Sequence, residues 1–223
     1  MDTVGIGSAI IGAGIATFGV VLYVIGIMRR GTKPRMASWI AWGTGNTIFT
    51  IAAFQEHSYV GAAIDLIAAL ANLLVIIASF HKKVAGKPND IIDWACLASS
   101  LACIAVMVLA PDDMLLGAFM GMLANATATI PTLRHAWMKP REETWQLFIA
   151  NAASGAISLG GILIMDGFMI ETTAGPLMTI LGSSSLVAII LLRRRFTRAE
   201  VMSLVAETGS DSEADVPKLG LVE

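Results

Sequence analysis

The sequence predicts an all-α membrane protein with seven transmembrane helices, laid out as two parallel three-helix repeats joined by a linker helix, a 3+1+3 plan. Three observations predict it. The chain is 56% hydrophobic and only 14% charged, where a soluble domain carries roughly 25% charge. Its apolar runs are long enough to cross a bilayer core of about 30 Å. Its basic residues fall in alternate connections between those runs, and a motif recurs at constant offset in the two halves.

The runs are marked off by their polar breaks. They cover Val4 to Met28, Ala37 to Phe54, Tyr59 to Phe80, Ile91 to Ala110, Met114 to Trp137, Thr144 to Met165 and about Ala174 to Leu192. The first carries Asp2 and no basic residue ahead of it, and Arg29 and Arg30 follow it in place of a small-residue cleavage site. It is therefore expected to be a retained helix and not a signal peptide. The implied organisation is a first repeat over 1–80, a linker helix over 81–112, a second repeat over 113–195 and a cytosolic tail over 196–223. From about Glu207 the tail is acidic and poor in large apolar residues, a composition that predicts disorder.

Orientation follows from charge. Arg29, Arg30, Lys33 and Arg35 separate spans one and two; Lys82, Lys83 and Lys87 separate three and four. Arg134, Lys139 and Arg141 mark the junction of five and six, and Arg193, Arg194, Arg195, Arg198 and Lys218 follow seven. With seven spans every Lys and Arg falls on one side, while Glu56, His57, Asp112, Asp113, Asp166 and Glu171 fall on the other. The positive-inside rule makes the basic side cytosolic. The N-terminus is then outside, the C-terminus in the cytosol, and the location the plasma (inner) membrane. Cys96 and Cys103 lie seven apart on one span, about 10 Å along a helix, beyond disulfide reach; they are expected as small core residues.

Lys33-Pro34-Arg35-Met36-Ala37-Ser38-Trp39 opens the second span and Lys139-Pro140-Arg141-Glu142-Glu143-Thr144-Trp145 opens the sixth. The shared offset also pairs Trp42 with Phe148, Gly61 with Gly167, and Asp65 with Glu171. An odd linker span keeps both halves in one orientation, as in parallel-repeat transporters. Locally, proline suits a first helical turn, Ser38 or Thr144 is placed to cap free N–H groups, and the tryptophans are placed as interfacial anchors. Glycines at 5, 12, 19 and 26, and at 117 and 121, form stripes where another helix can approach closely.

Two three-helix halves with this motif resemble the PQ-loop superfamily, which includes the SWEET sugar transporters and the PnuC vitamin-precursor transporters. The stretch Ala124-Asn125-Ala126-Thr127-Ala128-Thr129-Ile130-Pro131-Thr132-Leu133, followed by Lys139-Pro140 and Thr144-Trp145, is the most similar part. It looks closest to a prokaryotic SWEET-like group, over about residues 15 to 192. Departures are Ile25 where the repeat would place a proline, Arg35 directly after Pro34, and Asn125 where that group more often has Asp. The resemblance implies the 3+1+3 fold and transport. It also implies a pocket lined by Asn72 and Trp42, with Phe148 as the second aromatic and Met178 in place of the second amide.

Within the spans, polar residues mark either a pathway or interhelical bonding. Asn46, Asn72, Asn125 and Asn151 lie near the middle of four spans, and amides suit sugar hydroxyls or a carboxamide. Asp65, about six residues inside the third span, is placed toward an outer mouth to bind a proton or a cationic group. Asp93 is a first-turn residue favoured by the helix dipole. Pro131 removes the bond to the Thr127 carbonyl; it is a candidate hinge, with Thr127 or Thr129 compensating.

These features point to a small-solute transporter or facilitator working by alternating access on a sugar or vitamin-like neutral polar solute. The alternative is a non-transporting scaffold or sensor on the same fold. An enzyme is not expected, because no metal motif, Ser–His pair or paired carboxylate lies within the membrane. A retinal protein would require a buried Schiff-base lysine, and the lysines lie in the basic connections or the tail. No cofactor, metal or nucleic-acid partner is implied; the expected partners are the solute and the lipid bilayer, with a homo-oligomer left open.

Overall fold

The computed structural model describes residues 3–86, 90–110, 112–165 and 167–214, with backbone alone at 4–6, 9, 60 and 197–214. The described chain is helical: α1 (Thr3–Met28), α2 (Met36–Gln55), α3 (Tyr59–His81), α4 (Ile91–Leu109), α5 (Met114–Met138), α6 (Trp145–Met165) and α7 (Ile170–Ala214), with a 3-10 turn at Pro140–Glu142. The first six match the apolar runs to within a residue at each end. Six of the seven are long and apolar enough to cross a membrane, α2 being the exception. The polarity of α2 is partly turned inward, with Ser38 and Asn46 both buried. The outer faces of the bundle carry exposed Leu70, Leu73, Leu74 and Ile77 on α3 and Leu101, Ile104 and Val108 on α4. A belt of this kind is a liability in water and matches hydrocarbon.

α3 packs against both α1 and α2, and α7 packs against both α5 and α6. The longest contacts run between these groups, α1 along α6 and α2 along α5, while α4 leans on the outside of α5 and α2. Small residues allow the long contacts. A Cβ on Gly19 would stand 2.6 Å from the Ala150 methyl, and one on Gly121 would stand 2.5 Å from the Phe49 ring. Gly12, Gly19 and Gly26 successively face Ser154, Ala150 and Thr144, so α1 and α6 run antiparallel and the stripe serves packing. The side chain of residue 5 lies outside the described ones.

The connections rich in Lys and Arg gather at one end. Lys33 N–H donates to the Glu142 carbonyl (3.1 Å), and Gly86 N–H donates to the Pro34 carbonyl (3.0 Å). The Arg193 Nε donates to the Trp137 carbonyl, and Arg194 donates to the carbonyls of Pro140 and Glu143. At the other end Glu56, Asp112, Asp113 and Glu171 surround one shallow depression. Lys87, Asp166 and Lys218 lie outside the described residues, as does the chain from 215 on.

Several local expectations are corrected. α7 starts four residues before its apolar run and continues to Ala214, where a break near Leu192 and a disordered tail are expected. Arg, Ala, Glu, Met and Leu after the run are good helix formers, so polarity ends the apolar segment without ending the helix. Ser38 does not cap α2; its hydroxyl is buried without a partner. Thr144 instead shares a 2.6 Å hydrogen bond with Thr32. Trp39 is no interfacial anchor: it is 3% exposed and packs on Tyr23 and Trp42 at ring separations of 5.0 and 5.4 Å. The hydroxyls of Thr127 and Thr129 donate to the carbonyls of Leu123, Ala124 and Asn125, two to four residues before the carbonyl Pro131 leaves without its donor. Cys96 and Cys103 are free and buried, as expected.

Candidate functional site

The interior holds a cavity walled by α1, α2, α3, α5, α6 and α7. The centre of a water-sized sphere can move through about 110 Å3 of it, against the 10–15 Å3 that one water needs by the same measure. Several waters or a small solute fit. Every residue singled out as a pathway candidate lines this space: Asn46, Asn72, Asn125, Asn151, Trp42, Phe148 and Asp65. Pro131 does not line it; it is buried within α5.

The helices bring these side chains together for identifiable reasons. α2 and α5 approach at Gly45 and Gly121, and Gly45 is where the Asn125 amide lies. Asn125 Nδ2 makes only a 3.5 Å contact with the Gly121 carbonyl. Asn72, on α3, sits beside Gly43, whose Cβ would stand 3.7 Å from the Asn72 Cβ. Its Nδ2 is buried and has no hydrogen-bond partner. Trp42 donates its indole N–H to the Thr129 hydroxyl at 3.3 Å, which fixes the ring as a wall. Phe148 stands 6.5 Å from Trp42, centroid to centroid.

Asp65 is 7% exposed and therefore buried. α7 reaches it because residue 175 is glycine: a Cβ there would lie 2.9 Å from the carboxylate. Among the described residues no protein donor bonds Asp65. Among the described residues that line the cavity it is also the one ionisable side chain. Polar wall residues that the sequence does not single out are Thr17, Ser154, Ser158, Thr179 and Ser183. Their signal was weak, since Ser and Thr inside spans commonly satisfy carbonyls of their own helix.

Beneath the cavity, toward the basic end, Tyr23, Leu147, Leu186 and Ile190 are fully buried and pack with Trp39 and Phe148. Below them lies a polar layer the sequence did not reveal. The Tyr23 hydroxyl donates to Glu143 at 3.1 Å. Glu143 is 2% exposed, and burial pushes its carboxyl up to about 8. Lys33 pairs with Glu142, Arg35 pairs with the buried Asp93, and Arg134 pairs with Asp90. The Asp90 side chain also caps α4 at the N–H groups of Ile92 and Asp93. Among the described residues no cluster of His, Cys, Asp and Glu is placed to hold a metal.

No protein-family model, curated protein or solved structure matches this chain.

Proposed function

We propose that the protein moves a small polar solute across the membrane by alternating access, on a 3+1+3 parallel-repeat fold of the PQ-loop, SWEET-like kind. The observation that carries this reading is the interior cavity, with amides from both halves on its wall and one of them, Asn72, without a protein partner. Amides kept only as interhelical glue would be bonded across helices. An unbonded amide in a dry interior loses several kcal/mol, an arrangement that fits a site whose partner is the solute.

The packing favours the repeat. Exchanging α1 with α5, α2 with α6 and α3 with α7 leaves the main helix neighbours unchanged: the third helix of each half touches the other two, and α1–α6 maps onto α5–α2. The helix α4 lies outside both groups, as a linker would. Solute sites in repeat-built transporters sit at such an interface. The basic end faces the cytosol of the plasma (inner) membrane. Its gate is formed by the bonds that cross between halves: Tyr23 to Glu143, Thr32 to Thr144, and Lys33 to Glu142. These bonds part when the cavity opens inward, and Pro131 is the point where α5 bends.

Uptake of labelled polar solutes into proteoliposomes tests the proposal. Saturable, competable flux of some solutes is expected. Absence of flux and of Trp fluorescence quenching across the panel, from folded protein, would leave the scaffold or sensor alternative. Reporter fusions at both termini check orientation, with the cytosolic reporter expected to be active at the C-terminus only.

A further inference from the structure

The amides of the cavity suit a neutral solute, but Asp65 does not. A carboxylate in a membrane interior requires a partner, since an uncompensated charge there is costly. The described residues supply none. The helices α1, α2 and α6, which form much of the wall, contain no Lys, Arg, His, Asp or Glu. The described Lys and Arg all stand at the opposite end, engaged with Glu142, Asp93, Asp90 or backbone carbonyls where their bonds are resolved. No donor from the described residues reaches the carboxylate, and Gly175 leaves its oxygens room beside the backbone of α7.

A second observation points the same way. Asp65 is six residues from the start of α3, about 9 Å along the helix, so it lies toward the acidic end. There Glu56, Asp112, Asp113 and Glu171 ring one depression, and no described Lys or Arg offsets them. A concavity lined by one sign of charge concentrates ligands of the other sign.

We propose that the solute is an organic monocation bearing hydrogen-bonding groups, of amino-alcohol or amino-sugar size, and that Asp65 is the counter-charge that recognises it. The proposal rests on the transport function above and names its substrate class. The solute's ammonium meets Asp65. Its hydroxyl or amide groups turn toward Asn46 and Asn72, the latter about 10 Å deeper along α3. Its carbon skeleton lies toward Trp42 and Phe148, whose ring faces tolerate a cation's neighbours. Entry from the acidic end carries one positive charge into the cavity and leaves the carboxylate neutralised.

The test uses matched pairs that differ in charge at nearly constant shape: glucosamine against glucose, and ethanolamine against ethylene glycol. Binding is read by Trp fluorescence, and flux in proteoliposomes with and without an imposed inside-negative potential. The cationic member of a pair is expected to be preferred by about a hundredfold, the loss typical of leaving a buried charge unpaired. Its uptake should accelerate under the negative potential. Asp65→Asn should erase the preference while melting no lower than the parent, since it removes a buried charge. Equal handling of both members by parent and variant would overturn the charge assignment and leave transport standing. Uptake of the neutral member driven by a pH gradient and lost in Asp65→Asn would also overturn it, giving the charge to a coupled proton. No binding or flux of any member would count against transport itself.

Discussion

The two ends of the polar interior differ in how their charged and amide groups are met. At the basic end polar groups find partners across the chain: Arg35 with Asp93, Arg134 with Asp90, Lys33 with Glu142, Tyr23 with Glu143 and Thr32 with Thr144. Unpartnered hydroxyls occur in both regions, Ser38 and Thr132 toward the basic end and Ser158 in the cavity, but in the cavity an amide, Asn72 Nδ2, also goes without a partner, and Asp65 has no protein donor among the described residues. Tyr23, Asp93 and Glu143 at the basic end are as buried as Asp65 and Asn72 in the cavity. The difference separates charged groups that are paired between helices from a carboxylate and an amide that, on the proposed function, are met by the solute. Removing a partner should therefore cost stability at the basic end and function in the cavity.

The largest expected effect is Arg35→Ala. Asp93 is 1% exposed, and without the guanidinium its buried carboxylate loses its ion pair. Breaking such a pair costs about 3–5 kcal/mol, so the melting temperature in detergent should fall sharply. A loss near that of an exposed ion pair, under about 1 kcal/mol, would break the comparison, since the basic end would then hold nothing together.

A more moderate effect is expected at Glu143. Tyr23→Phe removes the donor from a buried acid, a change worth about 1–3 kcal/mol. The pH dependence is the sharper measurement. Burial raises the Glu143 carboxyl from 4.5 to about 8, so between those values the folded protein binds a proton that the unfolded chain does not. Stability must then fall as pH rises through that window, and level off above it. Glu143→Gln, neutral throughout, should flatten that part of the curve. An unchanged slope in the variant would show that another group titrates there.

Much of this contrast could be read from the residues, and the part that could not has a physical reason. Apolar length marks the helices, because lipid demands about 20 residues of hydrocarbon-compatible chain. Amides in the middle of spans mark the cavity, because an amide facing lipid has nothing to bond. Glu143 was hidden because it lies in a charged connection beside Glu142, where a carboxylate is ordinarily solvated. It is buried by Tyr23, 120 positions away. Trp39 departs from expectation for the same reason: interfacial tryptophans and buried ones look alike in sequence, and only the fold packs Tyr23 and Trp42 against it. The burial of Asp65 depends on Gly175, a residue with no periodic signal of its own. α7 outran its apolar segment because hydropathy ends spans and helix propensity ends helices.

The smallest expected effect on stability is at Asn72, and it separates the two regions most cleanly. Its side chain is 7% exposed, a burial at which an asparagine normally makes hydrogen bonds. Its Nδ2 makes none, so Asn72→Ala removes no donor bond from the folded protein. The stability change should stay below about 1 kcal/mol, the usual worth of one made hydrogen bond. Solute binding is another matter. If the amide bonds the solute, its loss forfeits about 1.5 kcal/mol in the complex, or about tenfold in affinity. Melting curves and solute titrations on the same preparation give both numbers. A variant that loses affinity in step with stability would make Asn72 part of the packing. A variant that keeps its melting temperature and loses tenfold in affinity puts the amide at the solute, and with it the wall that Asn46, Asn125, Asn151, Trp42 and Phe148 complete.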